Sequence, residues 1–271
     1  MTTLDSFTCR LVQWETSLGP PDDGTLDAMS ETIRAAGSDQ VDLVIFPELV
    51  TTGYHVFDRL ADDAEPIPGP TTDRLGRVAA DADVHVLFGM PGRTDTGYQN
   101  AAVWLDRDGA VRAAHVKRHR WGAERDAFEP GPGPTVVETD FGTFGLQICY
   151  EANFPEASAD LARTGVDAII NISAWSVTME PDWHTLLPAR ALENGAYLLG
   201  CNLVGDEEST TFCGHSKAIN PDGTVQTELD ETAGTLTVTL ERDRLRTERD
   251  RNPMRHDREQ LAADGREEQT D

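Results

Sequence analysis

At 271 residues with 38% hydrophobic content, the chain is long enough to bury a sizeable core as one large or two small domains. Its formal net charge of -25 excludes an ordinary nucleic-acid binder, which needs a basic face to neutralise phosphate. No apolar run approaches the roughly 18 residues of a membrane span. The acidic balance over a normal apolar interior points to a salt-adapted protein. Met1 to Ser6 carry neither the basic start nor the apolar run of a signal peptide, so the cytoplasm is the expected location.

Taken in order, Phe7 to Trp14 alternate as a first strand, and the Gly- and Pro-rich segment 19–24 is a loop. Leu26, Met29 and Ile33 recur at helical spacing and predict a helix over 25–36. Val41 to Phe46 form a buried strand that stops at Pro47, and Glu48 follows directly. Such a carboxylate is commonly just solvated, yet α/β folds also place their chemistry at strand ends. A second helix is expected over 72–82, with Leu75 and Val78 inward, then a buried strand over 84–89. Strands 99–105 and 110–116 are joined by Asp106-Arg-Asp-Gly109, a hairpin signal. If the second strand continues, His115, Lys117 and His119 share one face.

After a short strand at 135–138, Phe144 to Ile148 read as a buried strand that ends at Cys149 and hands over to a helix with Pro155 in its first turn. Helices are expected over 154–164 and 182–194, the latter stopped by Gly195, with a buried strand over 166–172 between them. Strands at 196–202, 215–220 and 235–240 follow, with Pro221-Asp-Gly223 as a turn. From about Glu241 the chain is highly charged, which predicts one short helix and a tail over 249–271. Helices interleaved with buried strands and hairpins predict a mixed α/β fold in one domain over 1–248.

Cys9, Cys149, Cys201 and Cys213 show no paired spacing and read as reduced thiols. Cys213 and His215, two apart, are only a weak metal signal. Cys149 stands out because a thiol at a strand-to-helix junction lies near unpaired N–H groups and a helix dipole, which favour thiolate. A lone cysteine in an apolar strand is more commonly packing, so catalysis needs a base and an orienting partner beside it. Among 23 basic residues only Lys117 and Lys217 are lysines. A lysine kept in so Arg-rich a chain suggests a need for a compact ammonium. Glu48, Lys117 and Cys149 all stand at strand ends and would together supply base, cation and nucleophile for acyl transfer.

These stretches resemble the nitrilase, or carbon-nitrogen hydrolase, superfamily. The likeness rests on Val44-Ile-Phe-Pro-Glu48-Leu with Thr52-Gly-Tyr54, on Lys117-Arg-His119 with Glu124 and Phe128-Glu-Pro-Gly131, and on Gly145-Leu-Gln-Ile-Cys149-Tyr-Glu-Ala-Asn-Phe-Pro-Glu156. It continues through Pro188-Ala-Arg190, Glu193-Asn194, Asn202, Gly214-His-Ser216 and Asn220-Pro-Asp-Gly223.

The resemblance implies a four-layer α-β-β-α sandwich with mixed sheets, pairing into a homodimer or higher homo-oligomer, with no metal and no cofactor. It further implies that Cys149 attacks a small amide to form a thioester, with Glu48 as general base and acid. Lys117 and the backbone N–H of Tyr150 would hold the oxyanion, and Glu124 would orient substrate and Lys117. Tyr54, Trp121, Asn153 and Trp175 flank the motifs as candidate pocket residues, although aromatic side chains serve a core equally well. His119 is expected to stand behind the site rather than act as base. Asn153, where many members carry Arg, and Leu203 after Asn202 remove positive charge near the pocket. N-carbamoyl hydrolysis, nitrile hydrolysis, a silent binding protein of the same fold, and a metal hydrolase using His115, His119 and His184 are the competing readings.

Overall fold

The computed structural model describes residues 5–21, 23–254, 257, 258 and 260. The first half of the chain runs β1 (Ser6–Gln13), α1 (Asp23–Ser38), β2 (Leu43–Ile45), α2 (Leu60–Asp63), α3 (Pro70–Ala82), β3 (His85–Arg93), β4 (Tyr98–Leu105), β5 (Val111–Val116) and α4 (Glu124–Ala127). The second runs β6 (Thr135–Glu138), β7 (Thr143–Ile148), α5 (Pro155–Ala162), β8 (Ala168–Ser173), α6 (Glu180–Asn194), β9 (Tyr197–Asn202), β10 (Val204–Glu207), β11 (Thr210–Cys213), β12 (Lys217–Ile219), β13 (Val225–Glu228), β14 (Gly234–Glu241) and α7 (Arg242–Arg251).

Two six-stranded sheets result, in the orders β14-β1-β2-β3-β4-β5 and β13-β12-β9-β8-β7-β6, with β10-β11 a separate hairpin. Strands β1, β2 and β3 are parallel, as are β7, β8 and β9. Parallel neighbours need a crossover, which α1 and α3 supply in one sheet and α5 and α6 in the other. The remaining strands pair antiparallel, so both sheets are mixed.

Alternation along the strands decides the layering. Phe7, Cys9, Leu11, Leu43, Ile45, Leu87 and Trp104 of the first sheet share one core with Leu146, Ile148, Ile170 and Ile172 of the second. The intervening Val44, Phe46, Val86, Phe88 and Val103 pack instead with Leu26, Met29 and Ile33 of α1 and Leu75 and Val78 of α3. On the outer face of the second sheet, Leu161 of α5 and Trp183, Leu187 and Ala191 of α6 close its strands. Helix, sheet, sheet and helix are therefore stacked. The thiol of Cys201 on β9 donates to the carbonyls of Val12 and Ile45 at 3.4 and 3.3 Å, bridging the two sheets.

Several elements depart from the sequence expectation. β5 stops at Val116, so Lys117 stands past the strand end and its side chain is free of the alternation that would have grouped it with His119. The expected strand at 215–220 shrinks to Lys217–Ile219, because His215 adopts a left-handed φ of 53°. The β10-β11 hairpin has no counterpart in the apolar pattern: its turn and much of its length are polar. Cys149 enters a 3₁₀ turn over Cys149–Asn153, and the α-helix starts only at Pro155. At the far end α7 crosses the expected 248/249 boundary. The Arg249 guanidinium donates to the carbonyls of Gly195 at 2.8 Å and Val166 at 2.6 Å. Residues 255, 256, 259 and 261–271 of the expected tail lie outside the described residues.

Gly89 on β3 is where the fold meets the site. A Cβ there would lie 2.4 Å from the backbone nitrogen of Leu49 and 2.6 Å from the Cα of Glu48. Gly89→Ala should therefore destabilise the fold by about 1–3 kcal/mol through overpacking against backbone. It should also lower activity by displacing Glu48; thermal unfolding beside a turnover assay checks both.

Candidate active site

Three strand ends converge. The chain past β2 keeps its register with β3, Phe46 N–H donating to Leu87 O at 2.8 Å and Gly89 N–H to Pro47 O at 3.0 Å, which fixes the backbone that carries Glu48. Past β5, Lys117 is pinned in the same way, its N–H donating to Asn100 O at 2.9 Å and its carbonyl accepting from Gly131 at 3.0 Å. Cys149 follows β7 with a left-handed φ of 46°, a conformation that a non-glycine residue holds only where its surroundings enforce it. Asn171 on β8 contributes, donating to Cys149 O at 3.3 Å.

The side chains form one buried ionic network. Lys117 Nζ donates to Glu48 Oε1 at 2.6 Å and to Glu124 Oε1 at 2.7 Å. Glu48 also accepts from Asn100 Nδ2 at 2.7 Å and, on its other oxygen, from the N–H of Ala174 at 2.9 Å. Glu124 accepts from the Tyr54 hydroxyl and from Trp121 N–H, both at 2.9 Å. All three charged groups are fully buried.

Burial raises the Glu48 pKa above the ordinary carboxyl value, an effect that Glu124 reinforces and Lys117 opposes. Burial alone would lower Lys117, but Glu124 and Glu48 hold its pKa well above the ordinary value, so it stays an ammonium. For Cys149, burial first and then the Glu48 carboxylate push the thiol well up, with Lys117 only partly offsetting them. The thiolate expected at a helix junction is thus not the resting state. The turn is short, and two carboxylates outweigh its free N–H groups. The arrangement holds a neutral thiol beside a carboxylate of raised basicity.

A third carboxylate near the site, the buried Glu151, binds the parts together. One oxygen accepts from Arg118 N–H at 2.9 Å, the other from Ile148 N–H at 2.7 Å, and His115 Nε2 lies at 2.8 Å. The segment carrying Lys117 and the turn carrying Cys149 are tied through this single side chain. It stands two residues after the cysteine, and that proximity is the only sequence signal it gave. The His115 contact and the two backbone bonds outweigh burial and leave the Glu151 pKa below the ordinary 4.5. His119 is half-buried, stacked on Phe154 with ring centroids 3.9 Å apart, its Nδ1 4.0 Å from Glu151 Oε1. His115, His119 and His184 do not converge; His184 groups instead with His215 and Glu180.

A cavity of about 420 Å³ opens over Cys149, which is 8% exposed at its floor. Tyr54, Trp121 and Trp175 line it, as do Tyr150, Phe57, Met179 and Phe212. Asn153 is not among its lining residues: it ends the 3₁₀ turn, and its carbonyl accepts from Arg190 Nη2 at 3.4 Å on the side of α6. Leu203 is buried with Ala174 and Phe212 as part of the core behind the wall. Two lining contributions were not legible in the sequence. His55 and Thr210 form a polar edge, set by the buried Glu207, whose carboxylate accepts from the N–H groups of Tyr54 and His55 at 3.2 and 2.5 Å. Glu207 lies on the unexpected β10-β11 hairpin.

The carbon-nitrogen hydrolase family profile matches residues 11–250. An (R)-stereoselective amidase of Pseudomonas sp. is 31% identical over 84% of this chain and 84% of its own length. A carbon-nitrogen hydrolase superfamily protein of Xanthomonas campestris superposes with a TM-score of 0.86 at 29% identity, covering 94% of this chain and 97% of that one. A mutant of the amidase from Nesterenkonia sp. AN1, in complex with butyramide, superposes with a TM-score of 0.78 at 28% identity, covering 89% and 93%.

The depressed pKa of Glu151 has a pH signature. A carboxyl whose folded pKa lies below its unfolded value adds stability above the unfolded value and loses it as pH falls through the folded one. Glu151→Gln should therefore lower stability by about 1.5–3 kcal/mol at neutral pH. The gap from wild type should close as pH falls below 4.5, as read by urea unfolding across pH.

Proposed function

The chain belongs to the carbon-nitrogen hydrolase family, and on that premise we propose that it hydrolyses a small, uncharged carboxamide to the carboxylic acid and ammonia through a thioester on Cys149. The observation that carries the reading is the fully buried Glu48–Lys117–Glu124 network beside a thiol at the floor of a largely aromatic cavity.

Glu48 takes the thiol proton as the sulfur attacks the amide carbon, and the carbonyl oxygen becomes an oxyanion. The Lys117 ammonium and the Tyr150 N–H hold that charge, each well-placed donor contributing roughly 3–4 kcal/mol. Tyr150 is the second residue of a 3₁₀ turn, whose first N–H groups have no acceptor inside it. Glu48 then gives its proton to the departing nitrogen as the C–N bond breaks and ammonia leaves. A water enters, Glu48 takes one of its protons, and hydroxide attacks the thioester. Collapse releases the carboxylic acid and returns a proton to the sulfur. The raised pKa values of both groups suit this shuttle, because a resting thiol and a basic carboxylate exchange one proton with little mismatch. Glu124 keeps Lys117 aimed and anchors the wall through Tyr54 and Trp121.

The lining, which contains no Arg or Lys, supports an uncharged substrate. An N-carbamoyl amino acid or the amide of a dicarboxylic acid would place an anion there without a cationic partner, at a large desolvation penalty. The butyramide bound to the Nesterenkonia relative is of the favoured kind. Pairing of protomers into a homodimer or larger homo-oligomer, in the cytoplasm, belongs to the same proposal.

Ammonia release from short aliphatic amides, measured at high salt, tests the reading. Cys149→Ala should reduce it by roughly 10⁴-fold or more, and residual wild-type turnover would sink the mechanism. Lys117→Arg should lose about 10²–10³-fold because a planar guanidinium cannot replace the ammonium between two carboxylates. A neutral amide should exceed its carboxylate-bearing analogue of equal length in kcat/KM by about tenfold or more; the opposite order would overturn the substrate class.

A further inference from the structure

A second cluster of titratable groups lies on the far side of the wall formed by Met179 and Phe212. Glu180 opens α6, His184 stands one turn later, and His215 sits in the turn between β11 and β12. Glu180 Oε1 is 3.5 Å from Nε2 of His184 and 3.5 Å from Nε2 of His215. Those separations are too long for hydrogen bonds. They match the ligand-to-ligand edge of about 3.3–3.4 Å in a tetrahedral site with bonds of about 2.0–2.1 Å. All three ligand atoms lie within 4.8 Å of one another. His215 Nε2 is buried and has no hydrogen-bond partner, and Glu231 Oε1 stands 3.6 Å from it on the open side.

We propose that Glu180, His184 and His215 bind a divalent cation of the zinc class, with Glu231 or water completing the tetrahedron. Two imidazoles and a carboxylate are the donor set that such a cation takes, unlike the all-oxygen shell of calcium or magnesium. The outer groups fit as well. Glu228 Oε1 lies 3.1 Å from His215 Nδ1, the carboxylate partner that fixes a metal-binding ring's tautomer. Three carboxylates, Glu180, Glu228 and Glu231, surround the two imidazoles, with Lys217 contacting Glu228. Lys217 Nζ contacts both Glu228 Oε1 at 2.9 Å and His184 Nδ1 at 2.7 Å. Ligation through Nε2 places the His184 proton on Nδ1, opposite a nitrogen that cannot accept it, so Lys217 Nζ must move off His184 and keep only its bond to Glu228 when the ion binds. The bound ion staples the start of α6 to the β11-β12 turn, and with them the wall residues Met179 and Phe212. It takes no part in the amide chemistry.

The test is Co²⁺ binding followed by absorption, with Zn²⁺ competition, in the Cys149→Ala protein so that the site thiol does not contribute. One Co²⁺ per chain is expected, with tetrahedral d–d bands, no thiolate charge-transfer band, and displacement by Zn²⁺ with a rise in Tm. His215→Ala and Glu180→Gln should each weaken Zn²⁺ binding more than about 100-fold, and Glu228→Gln about 10–100-fold, as for an outer partner. His184 is exposed on its helix, so His184→Ala keeps the fold and should also lose more than about 100-fold. Absence of binding, or binding unchanged in His184→Ala, overturns the proposal. Neither outcome bears on the amide reading, which the turnover of the Cys149 protein decides.

Discussion

The interaction on which the rest depends is the Lys117 ammonium held between Glu48 and Glu124 in the buried interior. Removing three charges from solvent carries a large desolvation penalty, and mutual attraction repays it only when the hydrogen bonds of every member are met. The surrounding fold supplies those bonds: Asn100 from β4, the Ala174 N–H past β8, the Tyr54 hydroxyl, and the Trp121 N–H. Each comes from a different segment. The network is therefore also a statement about how the two sheets must sit, since Glu48 and Lys117 belong to one sheet and Ala174 to the other.

Carboxylates act here as interior braces as well as surface charge. Glu151 joins the cysteine turn to the lysine segment, and Glu207 joins the β10-β11 hairpin to the loop at Tyr54 and His55. Both accept from backbone N–H groups, so their role is to fix chain positions and not merely side chains. The two lysines follow the same logic. Both are fully buried and both face glutamate, Lys117 at the thiol and Lys217 at Glu228. The arginines meanwhile take the exposed pairs, such as Arg74 with Asp27 and Arg163 with Asp160.

Electrostatics of the same network set the chemical character of the sulfur. Sequence position alone favours thiolate, because the junction offers N–H groups and a dipole. Burial and the neighbouring Glu48 reverse that preference and keep the proton on Cys149. The result is a neutral thiol held beside a carboxylate of raised basicity.

Apolar runs and their breakers are local properties, and the sequence determined what they govern: the buried strands read as ending at Phe46, Ile148 and Ile172 and found to end within one residue of those points, the Gly195 stop of α6, and the residues placed at strand ends. Strand ends likewise singled out Glu48, Lys117 and Cys149, and the family resemblance added Glu124. Only the tertiary structure decided which ends meet, because that depends on sheet order and on partners 36 to 153 residues apart, as in the His115–Glu151 and Tyr54–Glu207 contacts. For that reason Asn153 reads as a pocket residue in sequence yet is absent from the cavity lining, its backbone carbonyl accepting from Arg190 of α6, while His55 and Thr210, on polar segments with no period, turn out to line the cavity. The protonation state of Cys149 was misread as thiolate for the same reason: periodicity reports which residues are buried, but a pKa depends on which charges are buried beside them.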